Sequence, residues 1–134
     1  MSKLSVALAL ILSAAVGAPA LAARIPVDAK LMALINPDGD GTVDLKEAQS
    51  AGAKKFKQLD TDSDGTLDAK ELSGLVTADE LKAADPDNDG TLDLKEYEAL
   101  IEKRFNTANP DDDGTLDEAE LETPAGQSLL GLIA

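Results

Sequence analysis

Asp85, Asp87, Asp89, Asp93 and Glu96 fall at positions 1, 3, 5, 9 and 12 of the stretch DPDNDGTLDLKE, with Gly90 at position 6. Carboxylates are hard oxygen donors, and at this spacing they can wrap one cation while a glycine makes the sharp turn midway. Thr91 at position 7 offers its backbone carbonyl, and Leu92 at position 8 is expected to point inward, away from the ion. The arrangement occurs four times. Loop one, NPDGDGTVDLKE, presents Asn36, Asp38, Asp40, Thr42, Asp44 and Glu47. Loop two, DTDSDGTLDAKE, presents Asp60, Asp62, Asp64, Thr66, Asp68 and Glu71. Loop three presents Asp85, Asp87, Asp89, Thr91, Asp93 and Glu96. Loop four, NPDDDGTLDEAE, presents Asn109, Asp111, Asp113, Thr115, Asp117 and Glu120.

This spacing is that of the EF-hand loop. An acidic surface turn would explain one such stretch. It does not explain four with the same residue types at positions 3, 5, 6, 7, 9 and 12 and an aliphatic residue at position 8. Catalysis finds no comparable support. There is no histidine and no cysteine, which excludes imidazole and thiolate chemistry. No serine stands in a recognisable nucleophile setting, and the clustered carboxylates are accounted for by loop positions. Asp112 and Glu118 fall outside the ligand positions and are read as solvated charge. The chain is therefore expected not to be an enzyme.

Helices must hold the two ends of each loop. Val27 to Ile35 is predicted as a short entering helix with Leu31, Leu34 and Ile35 on one face. Leu45 to Leu59 reads as one helix leaving loop one and entering loop two, with Leu45, Ala48, Gly52, Phe56 and Leu59 at helical spacing. Gly52 weakens it, because glycine costs about 1 kcal/mol against alanine inside a helix. Ala69 to Leu75 is predicted as a short helix, and Thr77 to Glu80 as a capping box starting another that runs to Ala84. Leu94 to Thr107 is the longest, with Leu94, Tyr97, Ile101 and Phe105 on its buried stripe. Thr123 caps a last helix with Pro124 at its first position, docked by Leu129, Leu130 and Ile133. The loops start 24, 25 and 24 residues apart, so one helix is expected to serve as exit of one loop and entrance of the next. The expected fold class is all-α, a compact helical bundle with four closely spaced EF-hand loops. Asn at the head of loops one and four also hints that the outer loops pair with each other, and the inner with each other.

The 134 residues carry 26 acids against 12 lysines and arginines, a formal charge of −14. Lys3, the apolar run Leu4 to Val16 and the small residues Ala18 to Ala23 read as a signal peptide over residues 1–23; the run is too short to span a membrane. Residues 24–134 then form one four-EF-hand domain of charge −15, since the removed segment holds one lysine and no acid. Export points to a periplasm. Eighteen acids sit at loop ligand positions, five in each inner loop and four in each outer one. With three aromatics to build a core and so much like charge, the chain is expected to fold poorly without cations. No basic patch is present, so neither nucleic acid nor an anionic membrane is an expected partner after signal cleavage. The partners expected are metal ions; the sequence names no protein partner.

The mature chain resembles the lanmodulin family, periplasmic lanthanide-binding proteins of methylotrophic bacteria. The resemblance rests on four closely spaced EF-hands, Asp at position 9 in each (Asp44, Asp68, Asp93, Asp117), and proline at position 2 (Pro37, Pro86, Pro110). Thr61 departs from the proline pattern, and Asn36 departs from the Asp that usually begins the first loop. The resemblance implies selective binding of up to four lanthanide(III) ions, calcium at lower affinity, and a metal-driven change from loose to compact. The chemistry of the residues agrees, since a triply charged ion offsets more carboxylate repulsion than a doubly charged one. Four trivalent ions would bring −15 to −3, and four calcium ions to −7. An exported calcium buffer or sensor is the alternative. The sensor form expects a methionine-rich surface, and Met32 is the one methionine left after cleavage.

Overall fold

Every helix among the described residues begins where a side chain takes up a free N–H of its first turn. Asp28 accepts from Leu31 N at 2.9 Å and opens α1 (Ala29–Ile35). Asp44 opens α2 (Leu45–Leu59), Thr77 opens α3 (Ala78–Ala84) and Asp93 opens α4 (Leu94–Ala108). Asp117 opens the four-residue α5 (Glu118–Leu121), and Thr123, with Pro124 at the first position, opens α6 (Pro124–Ile133). In α2, α3, α4 and α5 a glutamate three residues on reaches back to the N–H of the cap, completing a capping box. Each cap is worth about 1 kcal/mol. The computed structural model describes residues 24–134, so the expected signal segment lies outside the described residues.

Between the helices run four two-residue strands: β1 (Val43–Asp44), β2 (Thr66–Leu67), β3 (Leu92–Asp93) and β4 (Thr115–Leu116). β1 pairs antiparallel with β4, Val43 opposite Leu116, and β2 with β3, Leu67 opposite Leu92. Outer loops thus pair with outer and inner with inner, as the two asparagines hinted. Position 8 of each loop supplies the inward residue: Val43, Leu67, Leu92 and Leu116 are each 0 % exposed. Burying such a side chain contributes about 1.5–3 kcal/mol.

Helices α2, α4 and α6 pack against one another. Phe56 and Tyr97 meet edge to face, with centroids 5.5 Å apart at 71°. The Tyr97 hydroxyl donates to Leu132 O at 2.6 Å, tying α4 to the end of α6, whose Leu129, Leu130, Leu132 and Ile133 are buried. Gly52 has a packing reason, because a Cβ there would overlap the Ile101 side chain where α2 crosses α4.

Several expectations are corrected. α1 starts at Ala29, not Val27, because Asp28 is its cap. Leu34 is 65 % exposed, and Met32 takes its place beside Leu31 and Ile35; this centres the buried stripe away from Leu34. Leu94, the first residue of α4, is exposed at the end of its stripe, and Leu100, Arg104 and Ala108 extend the buried face. Residues 69–75 form turns, not a helix. Asp68 draws both the Lys70 and Glu71 N–H groups to one oxygen. Ser73 and Leu75 donate three residues back, to Lys70 O and Leu72 O, and Gly74 takes φ +83°. A left-handed glycine ends helical propagation. A shared helix therefore joins loops one and two (α2) and loops three and four (α4), whereas loops two and three are joined by a turn followed by α3.

Candidate metal centre

All four loops are built by the same local bonds. The position 3 carboxylate accepts the position 5 N–H, at 3.2 Å for Asp38, 3.2 Å for Asp62, 3.3 Å for Asp87 and 3.3 Å for Asp111. The position 5 carboxylate accepts the N–H and hydroxyl of the threonine at position 7, as Asp89 does from Thr91 at 2.9 Å for both. Asp40, Asp64 and Asp113 hold Thr42, Thr66 and Thr115 the same way. Position 9 and position 12 form a reciprocal lock. Asp44, Asp68, Asp93 and Asp117 each accept the N–H of Glu47, Glu71, Glu96 and Glu120, and each glutamate accepts the aspartate's N–H.

The inner loops draw carboxylates together. One oxygen each from Asp60, Asp62 and Glu71 lies within 4.8 Å of the others, and the same holds for Asp85, Asp87 and Glu96. Asp85 is 4 % exposed and accepts the Gly90 N–H at 2.7 Å; Asp60 accepts that of Gly65 at 3.0 Å. These are positions 1, 3 and 12, converging hard oxygens of the kind that suits a large oxygen-seeking cation. Asp64, Asp89, Asp68 and Asp93 lie outside the triplets.

The outer loops differ at position 1. The hydrogen-bonding surroundings orient the buried Asn36 amide with its oxygen accepting from Gly41 N at 3.0 Å and its nitrogen donating to Asp38 Oδ1, to Thr42 O at 3.1 Å and to Glu47 Oε1 at 3.1 Å. Asn109 does the same with Gly114 N, Asp111, Asp113 and Thr115 O. The carbonyls of Thr42 and Thr115 therefore face the loop interior, as read from position 7. An amide donor in the outer loops stands where an aspartate gathers like charge in the inner ones.

The carboxyls respond to this crowding. Asp87 is pushed up to about 6, first by a proton shared with Asp85, then by desolvation and by the charges of Asp89 and Glu96. Asp85 is held below its ordinary value, chiefly by that same hydrogen bond and by the Gly90 and Asp89 N–H groups. For Asp62 the Asp64 N–H pulls downward, but desolvation, Asp60 and the charges of Asp64 and Glu71 prevail and raise it. Burial, aided by neighbouring aspartates, raises Glu47 against the pull of the Asp44 N–H.

Two features of the loops were not anticipated. Position 4 takes a left-handed conformation in every loop, at Gly39, Ser63, Asn88 and Asp112 with φ between +56° and +68°. Asp112 is thus a turn residue as well as a solvated charge. The signal was available, because glycine, asparagine and aspartate are the residues that tolerate this region. The second feature is Thr61, whose N–H and hydroxyl donate to Glu71 Oε1 at 3.0 and 3.2 Å. The prolines at position 2 of the other loops have neither donor.

Comparison with known proteins places two of these loops in a family of motifs. The EF hand family matches residues 53–76 and 77–101, the segments carrying loops two and three. A 48-residue stretch is 56 % identical to lanmodulin of Methylorubrum extorquens, covering 36 % of this chain and 36 % of that protein. The chain thus carries EF-hand metal-binding motifs and is lanmodulin-like over that stretch.

Proposed function

We propose that this lanmodulin-like chain is an exported binding protein for trivalent lanthanide ions, taking up to four in its four loops. The observation that carries the reading is the pair of carboxylate triplets, Asp60–Asp62–Glu71 and Asp85–Asp87–Glu96, each with oxygens within 4.8 Å. Such like-charged groups gain most from an ion of high charge. Positions 1, 3, 5 and 12 and the carbonyl of position 7 are the ligands we assign in each loop. Position 9 joins them, directly or through a bound water, while also capping the following segment. Asn36 and Asn109 would ligate through their carbonyl oxygens, which requires their amides to turn.

Binding also supplies folding free energy in this reading. The loops anchor β1 to β4 and β2 to β3, and the acids that repel one another are neutralised together. Residues 1–23 direct export, and the site performs no catalysis. Calcium binds the same oxygens at lower affinity. An exported calcium buffer is the second reading, favoured by the EF-hand match taken alone. A sensor that grips a target helix is disfavoured because α6 already covers α2 and α4. Competition titration with lanthanum and calcium, followed by far-ultraviolet circular dichroism in chelator-treated buffer, tests the proposal. It expects lanthanum to bind far more tightly and to raise helix content. Comparable affinities for the two ions would favour the calcium reading.

A further inference from the structure

Helix α3 leads into loop three, yet none of its seven residues is buried. A helix this short is not stable alone, and with Leu81 and Ala84 only half-buried, apolar packing holds it weakly. The turn at 69–75 that precedes it gives no continuous helix to aim it either. Arg104, in the interior of α4, does what packing does not. Its side chain is 9 % exposed. Nη1 donates to Ser128 O of α6 at 2.6 Å, and Nη2 donates to Leu75 O at 2.9 Å and to Glu80 Oε1 at 3.0 Å. The other oxygen of Glu80 accepts the Thr77 N–H at 3.1 Å and its hydroxyl at 3.3 Å. One carboxylate therefore both caps α3 and ties it to α4. Arg104 Nε is buried without a partner, a cost that an aliphatic side chain would not carry. A planar fork is the group that reaches acceptors on three segments at once.

We infer that Arg104 is a positioning residue for loop three: it fixes the direction of α3, and with it Asp85, the C-cap of α3 and first residue of the loop. Through Leu75 O the same guanidinium holds the end of the segment that leaves loop two. The inner loops are thus joined twice, by β2–β3 on one side and by Arg104 on the other. The inference rests on reading the loops as cation sites. The test is a lanthanum titration of the full chain followed by NMR, with the Gly41, Gly65, Gly90 and Gly114 amides each reporting one loop. Arg104→Leu is expected to shift the Gly90 midpoint at least tenfold and Gly65 less, leaving Gly41 and Gly114 within twofold of wild type. Arg104→Lys, which keeps the charge but not the fork, is expected to recover part of the loss. Glu80→Gln alters the half-exposed end of the clamp without touching the core, and is expected to shift Gly90 about threefold. Four reporters moving together in these variants, or a Gly90 midpoint that does not move, would overturn the inference. Failure of the wild type to bind lanthanum would instead remove the cation reading. Amide exchange of α3 in the ion-free protein would then decide: exchange unchanged by Arg104→Leu rejects the positioning role, and selectively faster exchange in α3 upholds it.

Discussion

The Asp85 carboxyl beside it, with desolvation and the charges of Asp89 and Glu96, pushes Asp87 up from 3.8 to about 6. Between those values the folded chain holds a proton that the unfolded chain has lost. Its stabilising contribution is therefore complete at low pH and fades as pH rises through 6. A cation at loop three must displace that proton below pH 6 and meets an ionised pair above it. Lanthanum affinity at loop three is expected to fall as pH drops from 7 to 5, with proton release small at pH 7 and approaching one per ion at pH 5. Calorimetry in buffers of different ionisation enthalpy measures this, and Asp87→Asn should abolish the release; pH-independent binding would contradict it. Thr61 works in the opposite direction, holding Glu71 Oε1 with two hydrogen bonds. Such bonds are worth about 0.5–1.5 kcal/mol each. Thr61→Pro, which matches loop two to its three siblings, should raise its lanthanum affinity by roughly fivefold or more, read at the Gly65 amide. The loops themselves were legible because the motif demands fixed residue types at fixed intervals. The grip of Thr61 on Glu71 was not, because a threonine at a turn has several uses and the sequence does not show which acceptor lies in reach.

At the scale of elements, starts were easier to read than continuations. Thr77–Glu80, Thr123 and Pro124 announced α3 and α6 because a cap is a local bond between neighbours. Residues 69–75 misled because Ala69, Lys70, Glu71 and Leu72 are good helix formers, while Ser73 and Leu75 bond three residues back and Gly74 turns left-handed before a second turn of helix can form. The buried face of α1 was misplaced by one side chain, since seven residues hold less than two turns of periodicity and cannot choose between Met32 and Leu34. Gly126 shows a requirement that the sequence concealed. A Cβ there would collide with the Glu120 carbonyl at the corner between α5 and α6. Backbone does not yield as a side-chain tip does, so Gly126→Ala should destabilise the ion-loaded protein by about 1–3 kcal/mol. Chemical denaturation measures it, and an unchanged midpoint would show that the corner has room.

Across the whole molecule the charge is distributed in matched pairs of loops. The inner pair carries five acids per loop at positions 1, 3, 5, 9 and 12, and the outer pair four with an asparagine amide donating among them. Inner loops are therefore expected to fill first as lanthanum is added, with Gly65 and Gly90 saturating before Gly41 and Gly114. Asn36→Asp and Asn109→Asp remove that internal donor and add a charge. The ion-free protein should become less stable, while the substituted loops bind about tenfold more tightly, one charged ligand being worth roughly 1.4 kcal/mol more than a neutral one. Earlier saturation of an outer loop in the wild type would defeat the charge argument. Helix pairs and core positions were visible at this scale through the loop repeat, which places an aliphatic residue at position 8 four times. The Arg104 tie between α3, α4 and α6 was invisible, because its partners lie 24 to 29 residues away and two of them are backbone carbonyls.

The strand pairs are nested. Leu67 and Leu92 stand 25 positions apart, whereas Val43 and Leu116 stand 73 apart and enclose them. Closing the shorter span first shortens the chain that the longer one must gather, and closure entropy grows with length. Assembly of the two pairs is therefore expected to run from the middle of the chain outward, and dismantling inward from the outer pair. A chain interrupted before residue 115 can complete its inner pair but leaves β1 without β4. The segment from β2 to β3 is thus the smallest stretch that contains a closed pair, and β1 and β4 are the strands expected to pair last.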